Sequence, residues 1–69
     1  MPLSLLKSGE SGTVKRITGK DDTKRFLESL GFTVGVSVSV ISEIGGNMLL
    51  CIRDTRIALD RNMARRIVI

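Results

Sequence analysis

Valine alternates with small residues in the middle of the chain. Residues 34–40 read VGVSVSV, so that valine occupies every second position. This period of two predicts a strand with one buried and one solvated face. Gly45, Gly46 and Asn47 follow, and because these residue types readily adopt positive backbone angles they predict a tight hairpin. We therefore expect residues 48–53 to form a second strand that returns antiparallel beside the valine-rich one.

A helix is predicted to begin at Asp21 or Asp22. A carboxylate at this position accepts hydrogen bonds from the unpaired N–H groups of the first turn and lies at the positive end of the helix dipole. Gly31 predicts the end of the helix, since glycine adopts the left-handed conformation that commonly follows a last turn. Phe32 is then expected to fold back against that turn.

Phe26, Leu27 and Leu30 lie at helical spacing and predict a narrow apolar stripe along this helix. Apolar residues in such a pattern are usually core residues, so we expect the stripe to be buried. Replacement of Phe26 by alanine would then cost about 3–5 kcal/mol of stability. The charged residues that we expect to face solvent are Lys24, Arg25 and Glu28.

A first strand is predicted over residues 13–18, which read TVKRIT. Val14 and Ile17 would point to opposite faces of a regular strand, because side chains alternate along it. Either the strand bulges, or only one of these two residues is fully buried. The leucines that precede this strand, within residues 3–6, are expected to dock on the core.

The last third of the chain predicts three short elements. Residues 53–56 indicate a second turn and residues 57–59 another strand. Asp60 is a suitable N-cap for a single helical turn that runs through Arg65. Residues 67–69 are apolar and predict a closing strand.

About five short strands with one helix after the first predict a small all-β protein. Closure into a barrel hides the strand edges that a sheet of 69 residues would otherwise expose. We therefore expect an SH3-like barrel, with a short helical turn near the C-terminus, folded as a single domain over residues 1–69. A two-layer arrangement, with the helix laid across one face of a sheet, is the alternative.

The composition limits the chemistry that the chain can perform. It has one cysteine and no histidine, so that neither an internal disulfide nor a Cys–His nucleophile can form. Cys51 lies in the apolar run 48–52, and we expect it to be a small buried hydrophobic residue. The glycines at 9, 12 and 19 do not have the spacing of a phosphate-binding loop. We expect no catalytic residue, no cofactor and no metal site.

The same apolar run, residues 48–52, is the longest in the chain. It is much shorter than the roughly 20 residues that a membrane-spanning helix needs. The beginning of the sequence also lacks the charged segment and apolar stretch of a secretory signal. A cytoplasmic location is therefore expected.

Positive charge points to an acidic partner. Eleven Lys and Arg residues against seven Asp and Glu give a net charge of +4, which favours nucleic acid, an anionic membrane surface or an acidic protein. Such charges often form only a solvated face. The alternative is a basic surface that steers an acidic partner into place. The candidate partner-binding residues are Lys20, Lys24, Arg25, Glu28, Arg61, Arg65 and Arg66.

Glycines and apolar residues along the whole chain resemble those of the FeoA family. The most specific part is the segment 25–35, RFLESLGFTVG, although family members often carry proline where this chain has Val34. The other residues that carry the resemblance are Leu5, Leu6, Gly9, Gly12, Val14, Ile17, Gly19, Ala58, Leu59, Ala64, Ile67 and Ile69.

The resemblance implies a small cytosolic component of bacterial ferrous-iron uptake with an SH3-like fold. Related domains occur at the end of iron-dependent repressors of the diphtheria toxin repressor type. The implied partner is FeoB, a membrane permease with a cytoplasmic GTP-binding domain, and the chain itself would be an accessory protein that reaches the membrane only through this partner.

Two other functions compete with this interpretation. A nucleic-acid-binding barrel fits the isoelectric point of about 10.0, but the chain has only two Phe and no Tyr or Trp for base stacking, and we expect no nucleic-acid partner. A regulator-type domain that binds proline-rich or acidic segments is the third possibility. Exposed strand edges also predict weak self-association.

Overall fold

Two antiparallel sheets form the framework of the protein. The computed structural model describes residues 1–69. The helical elements are the N-terminal 3-10 turn Leu3–Leu5, α1 (Asp22–Ser29) and α2 (Arg61–Ala64). The six strands are β1 (Ser11–Thr13), β2 (Arg16–Ile17), β3 (Ser37–Ile44), β4 (Asn47–Ile52), β5 (Thr55–Asp60) and β6 (Ile67–Val68).

The larger sheet has the strand order β1-β3-β4-β5, and β2 pairs with β6 in the smaller one. All pairs of strands are antiparallel, with Gly12 opposite Val38 and Met48 opposite Leu59. The predicted small all-β architecture, with one helix early in the chain and a short helical turn near the end, is confirmed.

The predicted first strand, residues 13–18, is two strands that belong to different sheets. The N–H of Val14 donates to Val36 beside the larger sheet, whereas the N–H of Lys15 donates to Val68 in the smaller one. The chain therefore changes sheet between these two residues. This change of direction brings both Val14 and Ile17 into the core, which a single regular strand could not do.

The alternating valine segment begins its strand later than predicted. Residues 33–36 form a turn, in which Gly35 has a φ of +90°. Val34 is 74% exposed because it lies in this turn. Val38 and Val40 are buried as predicted, and β3 then continues to Ile44 through a register shift after Val40.

The two hairpins of the larger sheet have tight turns. Gly45 and Gly46 both have positive φ angles, which confirms the predicted turn between β3 and β4. Arg53 and Asp54 also have positive φ angles, of 46° and 62°. Two such central residues give the turn a twist that matches the flanking strands. As a result β5 begins at Thr55, earlier than predicted.

Both ends of α1 form as predicted. Asp21 is the N-cap, and its side chain accepts a hydrogen bond of 3.2 Å from the Lys24 N–H. At the other end Gly31, with a φ of +109°, donates its N–H to Glu28, and Phe32 donates to Leu27. This pair of hydrogen bonds is the Schellman arrangement, which caps the last carbonyl groups of a helix.

The apolar stripe of α1 is buried only in part, so the prediction for Phe26 was wrong. Leu27 is fully buried and Leu30 is half-buried, but Phe26 is 48% exposed. Consecutive helix residues point about 100° apart, and α1 packs with Leu27 toward the core. Lys24 is half-buried rather than solvated, because it lies on the other flank of Leu27.

A single core unites both sheets and α1. Cys51 does not belong to it, contrary to our prediction, because Met48, Leu50 and Ile52 take the inward positions of β4 and leave the alternate positions on the outer face. Neither helix has the length and apolar composition to span a membrane. The core residues are Leu3, Leu6, Val14, Ile17, Leu27, Phe32, Val38, Val40, Met48, Leu50, Ile52, Leu59, Ala64, Ile67 and Ile69.

Candidate partner-binding surface

A groove runs between α1, β2 and the turn that follows α1. Its volume is about 130 Å³. Apolar side chains from the edge of the core and charged side chains from α1 and β2 line it together. The lining residues are Val14, Arg16, Ile17, Lys24, Glu28, Phe32, Thr33 and Val34.

Helical spacing brings two of the candidate residues to this groove. Lys24 and Glu28 are four residues apart in α1, which places them on one face of the helix. Arg16 joins them from β2, and it was not among the candidate residues. The sequence signal that could have identified Arg16 is its position between Val14 and Ile17, two apolar residues of the first predicted strand.

Arg66 joins the C-terminal part of the chain to the residues that precede α1. Its guanidinium donates hydrogen bonds to the carbonyl oxygen of Thr18, at 2.8 Å from Nη2 and 3.2 Å from Nε. The same group donates to both carboxylate oxygens of Asp21. A Cβ on Gly19 would lie 1.8 Å from Nη2 of Arg66, so the guanidinium occupies the space that glycine leaves open.

The ion pair of Asp21 and Arg66 shifts the titration of both groups. The hydrogen bond from Arg66 is the main reason that the pKa of Asp21 lies below its ordinary value of 3.8, and the hydrogen bond from the Lys24 N–H lowers it further. The pKa of Arg66 is raised by the same carboxylate. Both groups are therefore charged at neutral pH, and their contact fixes the start of α1 beside β6.

Arg66 also borders a second, more open hollow between α1 and α2. Its volume is about 240 Å³. The lining is mainly polar, and the hollow lies beside the N-cap of α2, where Asp60 accepts a hydrogen bond of 2.8 Å from the Met63 N–H. The lining residues are Thr23, Asp60, Asn62, Met63 and Arg66.

Two further candidate arginines are paired with acidic residues. Arg25 pairs with Asp22 within α1. Arg61 pairs with Glu43 at the end of β3 and donates a hydrogen bond of 3.2 Å to the Ser4 carbonyl oxygen. Arg61 therefore joins α2 to β3 and to the N-terminal turn, whereas the partners of Arg66 lie just before α1.

Lys20, Lys24 and Arg65 form no ion pair. Lys20 lies just before α1 and Arg65 just after α2, and both are exposed, whereas Lys24 is half-buried in the groove. The structure thus divides the six candidate cations into those held by acidic neighbours, which are Arg25, Arg61 and Arg66, and those that form no ion pair; the seventh candidate, Glu28, is acidic. Only the second group is available to an anionic partner without loss of an internal contact.

The chemistry of the groove is that of a binding surface. Val34, which is 74% exposed, provides the apolar contact, because Val14, Ile17 and Phe32 are buried in the core. Arg16 and Lys24 provide positive charge beside the carboxylate of Glu28. The side chains of His, Cys, Asp and Glu do not gather anywhere in groups of three or more that could hold a metal ion. An amphipathic segment with apolar and acidic side chains would match the groove in both respects.

Comparisons with known proteins agree on one family. The sequence matches the FeoA domain over residues 1–69. It is 29% identical over 68 residues to a protein of Methanocaldococcus jannaschii named as an Fe(2+) transport protein A. The match covers 99% of this chain and 83% of the relative.

Solved structures confirm the SH3-like fold. FeoA of Stenotrophomonas maltophilia, complexed with zinc, is 31% identical with a TM-score of 0.88, over 99% of this chain and 87% of that one. It is described as an SH3 domain protein for which a role as a ferrous iron transport activating factor has been suggested. A manganese-dependent transcriptional repressor is 26% identical with a TM-score of 0.86, over 97% of this chain and 39% of the repressor.

Proposed function

The chain belongs to the FeoA family, and we propose that it is an accessory protein of ferrous-iron uptake that binds the cytoplasmic part of an FeoB-type membrane permease. The family match over residues 1–69 is the observation that carries this role. In this proposal the protein is cytoplasmic and not an enzyme, and it reaches the membrane only through the permease.

The groove beside α1 is the proposed contact surface. The exposed side chain of Val34 supplies apolar area to bury, and burial of apolar area is the main source of affinity in most protein associations. Arg16 and Lys24 of the groove supply positive charge, together with Lys20, which lies just before α1 and forms no ion pair. This charge attracts an acidic segment and orients it. Lys24 serves both purposes, since its half-buried stem packs in the groove and its ammonium group forms no ion pair.

Phe26 lies outside the groove, on the opposite side of α1 from Lys24 and Glu28, because it is two residues from each of them. It gives a partner that wraps around α1 a second apolar contact. The Phe26 side chain is 48% exposed although it lies in the middle of the helix. Exposed aromatic residues are frequent anchors in protein interfaces, where a few residues carry most of the binding energy. Sequence patterning assigned Phe26 to the core, and its exposure instead supports a role in docking.

The test is binding of the purified cytoplasmic GTP-binding domain of the cognate permease at low and physiological salt. We expect Lys20→Glu and Lys24→Gln each to weaken binding several-fold and Phe26→Ala to weaken it by about tenfold or more. Only the lysine variants should reduce the dependence of affinity on salt. None of these changes breaks an ion pair, so circular dichroism and melting temperature serve as checks that the fold persists.

Arg56→Glu is the matched control. It has the same change of charge as Lys20→Glu but lies on β5, outside the groove. Equal loss of binding in both variants would mean that only total charge matters. Unchanged binding in the Lys20, Lys24 and Phe26 variants would overturn the proposed surface, and retention of generic RNA with a steep salt dependence would favour the nucleic-acid alternative.

A further inference from the structure

Strand β5 is a free edge of the larger sheet. It has six residues, Thr55–Asp60, and the strand order leaves it with a neighbour only on the side of β4. Natural edge strands are usually protected against pairing by proline, charged side chains (especially lysine), bulges or a short length. The sequence TRIALD has no proline or lysine, its two charged residues, Arg56 and Asp60, have opposite signs, and its pairing with β4 is regular over all six residues.

The register of β4 and β5 decides which backbone groups face outward. The N–H of Arg61 donates to the Gly46 carbonyl oxygen, which makes these two residues a hydrogen-bonded pair. Such pairs recur at every second position of an antiparallel ladder. Leu59, Ile57 and Thr55 therefore bond to β4, whereas the backbone N–H and C=O groups of the alternate residues point away from the sheet. These alternate residues are Arg56, Ala58 and Asp60.

We propose that β5 pairs antiparallel with β5 of a second copy of this chain, with Ala58 opposite Ala58 at the two-fold axis. In this register Arg56 lies opposite Asp60 of the other copy, and the reverse pair forms by symmetry. The outward N–H and C=O groups of three residues on each copy then complete a ladder. Ile57 and Leu59 take the remaining opposed positions, with their side chains packed against the core of their own copy.

Charge selects this register among those that the backbone allows. If one copy slid by two residues in one direction, Asp60 would lie opposite Asp54 of the other copy. If it slid by two more, Arg56 would lie opposite Arg56 of the other copy. A shift in the other direction would place Asp60 opposite Ala58. Opposite charges directly across a strand pair stabilise it, and like charges destabilise it.

The residues that would form the cross-strand ion pairs are accessible. Arg56, Ala58 and Asp60 are all exposed, and Arg56 forms no ion pair within the chain. Asp60 uses Oδ1 to cap α2 through the Met63 N–H, which leaves Oδ2 for a guanidinium. The small side chain of Ala58 allows close approach at the axis.

Two measurements on the intact chain test the proposal. Sedimentation over a dilution series from micromolar to millimolar protein should show a monomer–dimer equilibrium. Amide hydrogen exchange should show protection of Arg56, Ala58 and Asp60 that rises with protein concentration. The amides of Thr55, Ile57 and Leu59 are internal controls, since they already bond to β4 and should be protected at every concentration.

Ala58→Pro removes an N–H that points outward and should abolish the dimer while the β4–β5 ladder remains. Arg56→Glu retains the backbone and places like charges opposite each other, and we expect it to weaken dimerisation by about tenfold or more. Lys20→Glu, with the same change of charge away from β5, should leave dimerisation unchanged.

A monomer at all concentrations would overturn the proposal, as would a dimer in which the three outward amides remain unprotected. A dimer that Arg56→Glu weakens no more than Lys20→Glu would contradict the proposed register. Protection of these amides only when the permease domain is added would assign the edge to that partner instead of a second copy.

Discussion

Arg66 donates two hydrogen bonds to the carboxylate of Asp21, a residue 45 positions earlier in the chain. Nη2 lies 2.7 Å from Oδ1 and Nη1 lies 3.1 Å from Oδ2, so the contact is bidentate. Oδ1 of the same carboxylate accepts the N–H that caps α1. One aspartate therefore both starts the helix and ties it to the residue that precedes β6.

This contact predicts a component of acid sensitivity that belongs to Asp21. Its pKa is lowered in the folded protein, mainly by the hydrogen bond from Arg66. A carboxyl with a lowered folded pKa contributes stability that is present above its unfolded pKa and lost as the pH falls through the folded value. We expect the urea midpoint to decrease as the pH falls through about 3.8, where the unfolded carboxyl is half protonated, and on toward the lower folded pKa.

Asp21→Asn is the control for this effect, because asparagine retains the capping oxygen and cannot titrate. The variant should be less stable than the parent at neutral pH and should lose less stability on acidification. Equal acid dependence of the two proteins in urea titrations would show that Asp21 is not responsible.

Gly19→Ala is expected to displace Arg66. Gly19 has a φ of +92°, and an added Cβ would lie 1.8 Å from Nη2. We expect a loss of more than about 1 kcal/mol in chemical denaturation, since the backbone conformation and the contact both suffer. NMR titration should also show the pKa of Asp21 returning toward 3.8.

Gly9→Ala is the matched control for that substitution. Gly9 has a similar φ of +88°, but nothing lies within 4 Å of its added Cβ. It carries the cost of the left-handed backbone alone. If both variants lost the same stability and left the pKa of Asp21 unchanged, the packing of Arg66 over Gly19 would be irrelevant to the fold.

Leu27→Ala and Phe26→Ala should differ strongly in stability although the residues are neighbours. Leu27 is fully buried, and its truncation is expected to cost about 2–5 kcal/mol. Phe26 is half exposed, so its truncation should cost less than about 1 kcal/mol. Thermal and urea unfolding of the two variants would compare them directly, and a loss at Phe26 equal to that at Leu27 would contradict the packing of α1.

The sequence predicts where the helices and strands of this fold lie better than it predicts which face of each is buried. Both caps of α1 and the Gly45–Gly46 hairpin follow from local backbone chemistry, which neighbouring residues in sequence decide. The burial of Leu27 in preference to Phe26 depends on where α1 packs, and periodicity alone permits either. The same holds for Cys51, whose exposure depends on which face of β4 meets the core.

The candidate surface shows the same limit in its charges. Composition identified the cations, but the pairing of Arg66 with Asp21 and of Arg61 with Glu43 joins residues that are distant in sequence. No local pattern distinguishes these arginines from Lys20 or Arg65. The groove position of Arg16 likewise results from the change of sheet after Val14, which the expected single strand did not contain.

Gly12 and Ile69 form a close contact that should be visible as coupling between two substitutions. A Cβ on Gly12 would lie 2.8 Å from Cδ1 and 3.2 Å from Cβ of Ile69, which is buried. Gly12→Ala therefore overpacks this end of the core and is expected to cost about 1–3 kcal/mol. Ile69→Val removes Cδ1, so in the double variant the added methyl fills part of the space and the total loss should be smaller than the sum of the single losses.

Ile57→Val provides the reference for this cycle. Ile57 lies on β5, at the opposite edge of the larger sheet from Gly12 in β1, and substitutions at that separation should add. Urea unfolding of the four proteins in each cycle gives the coupling energy. If Gly12→Ala added with Ile69→Val as closely as it adds with Ile57→Val, the methyl group would have been accommodated by movement of β1 rather than by Ile69.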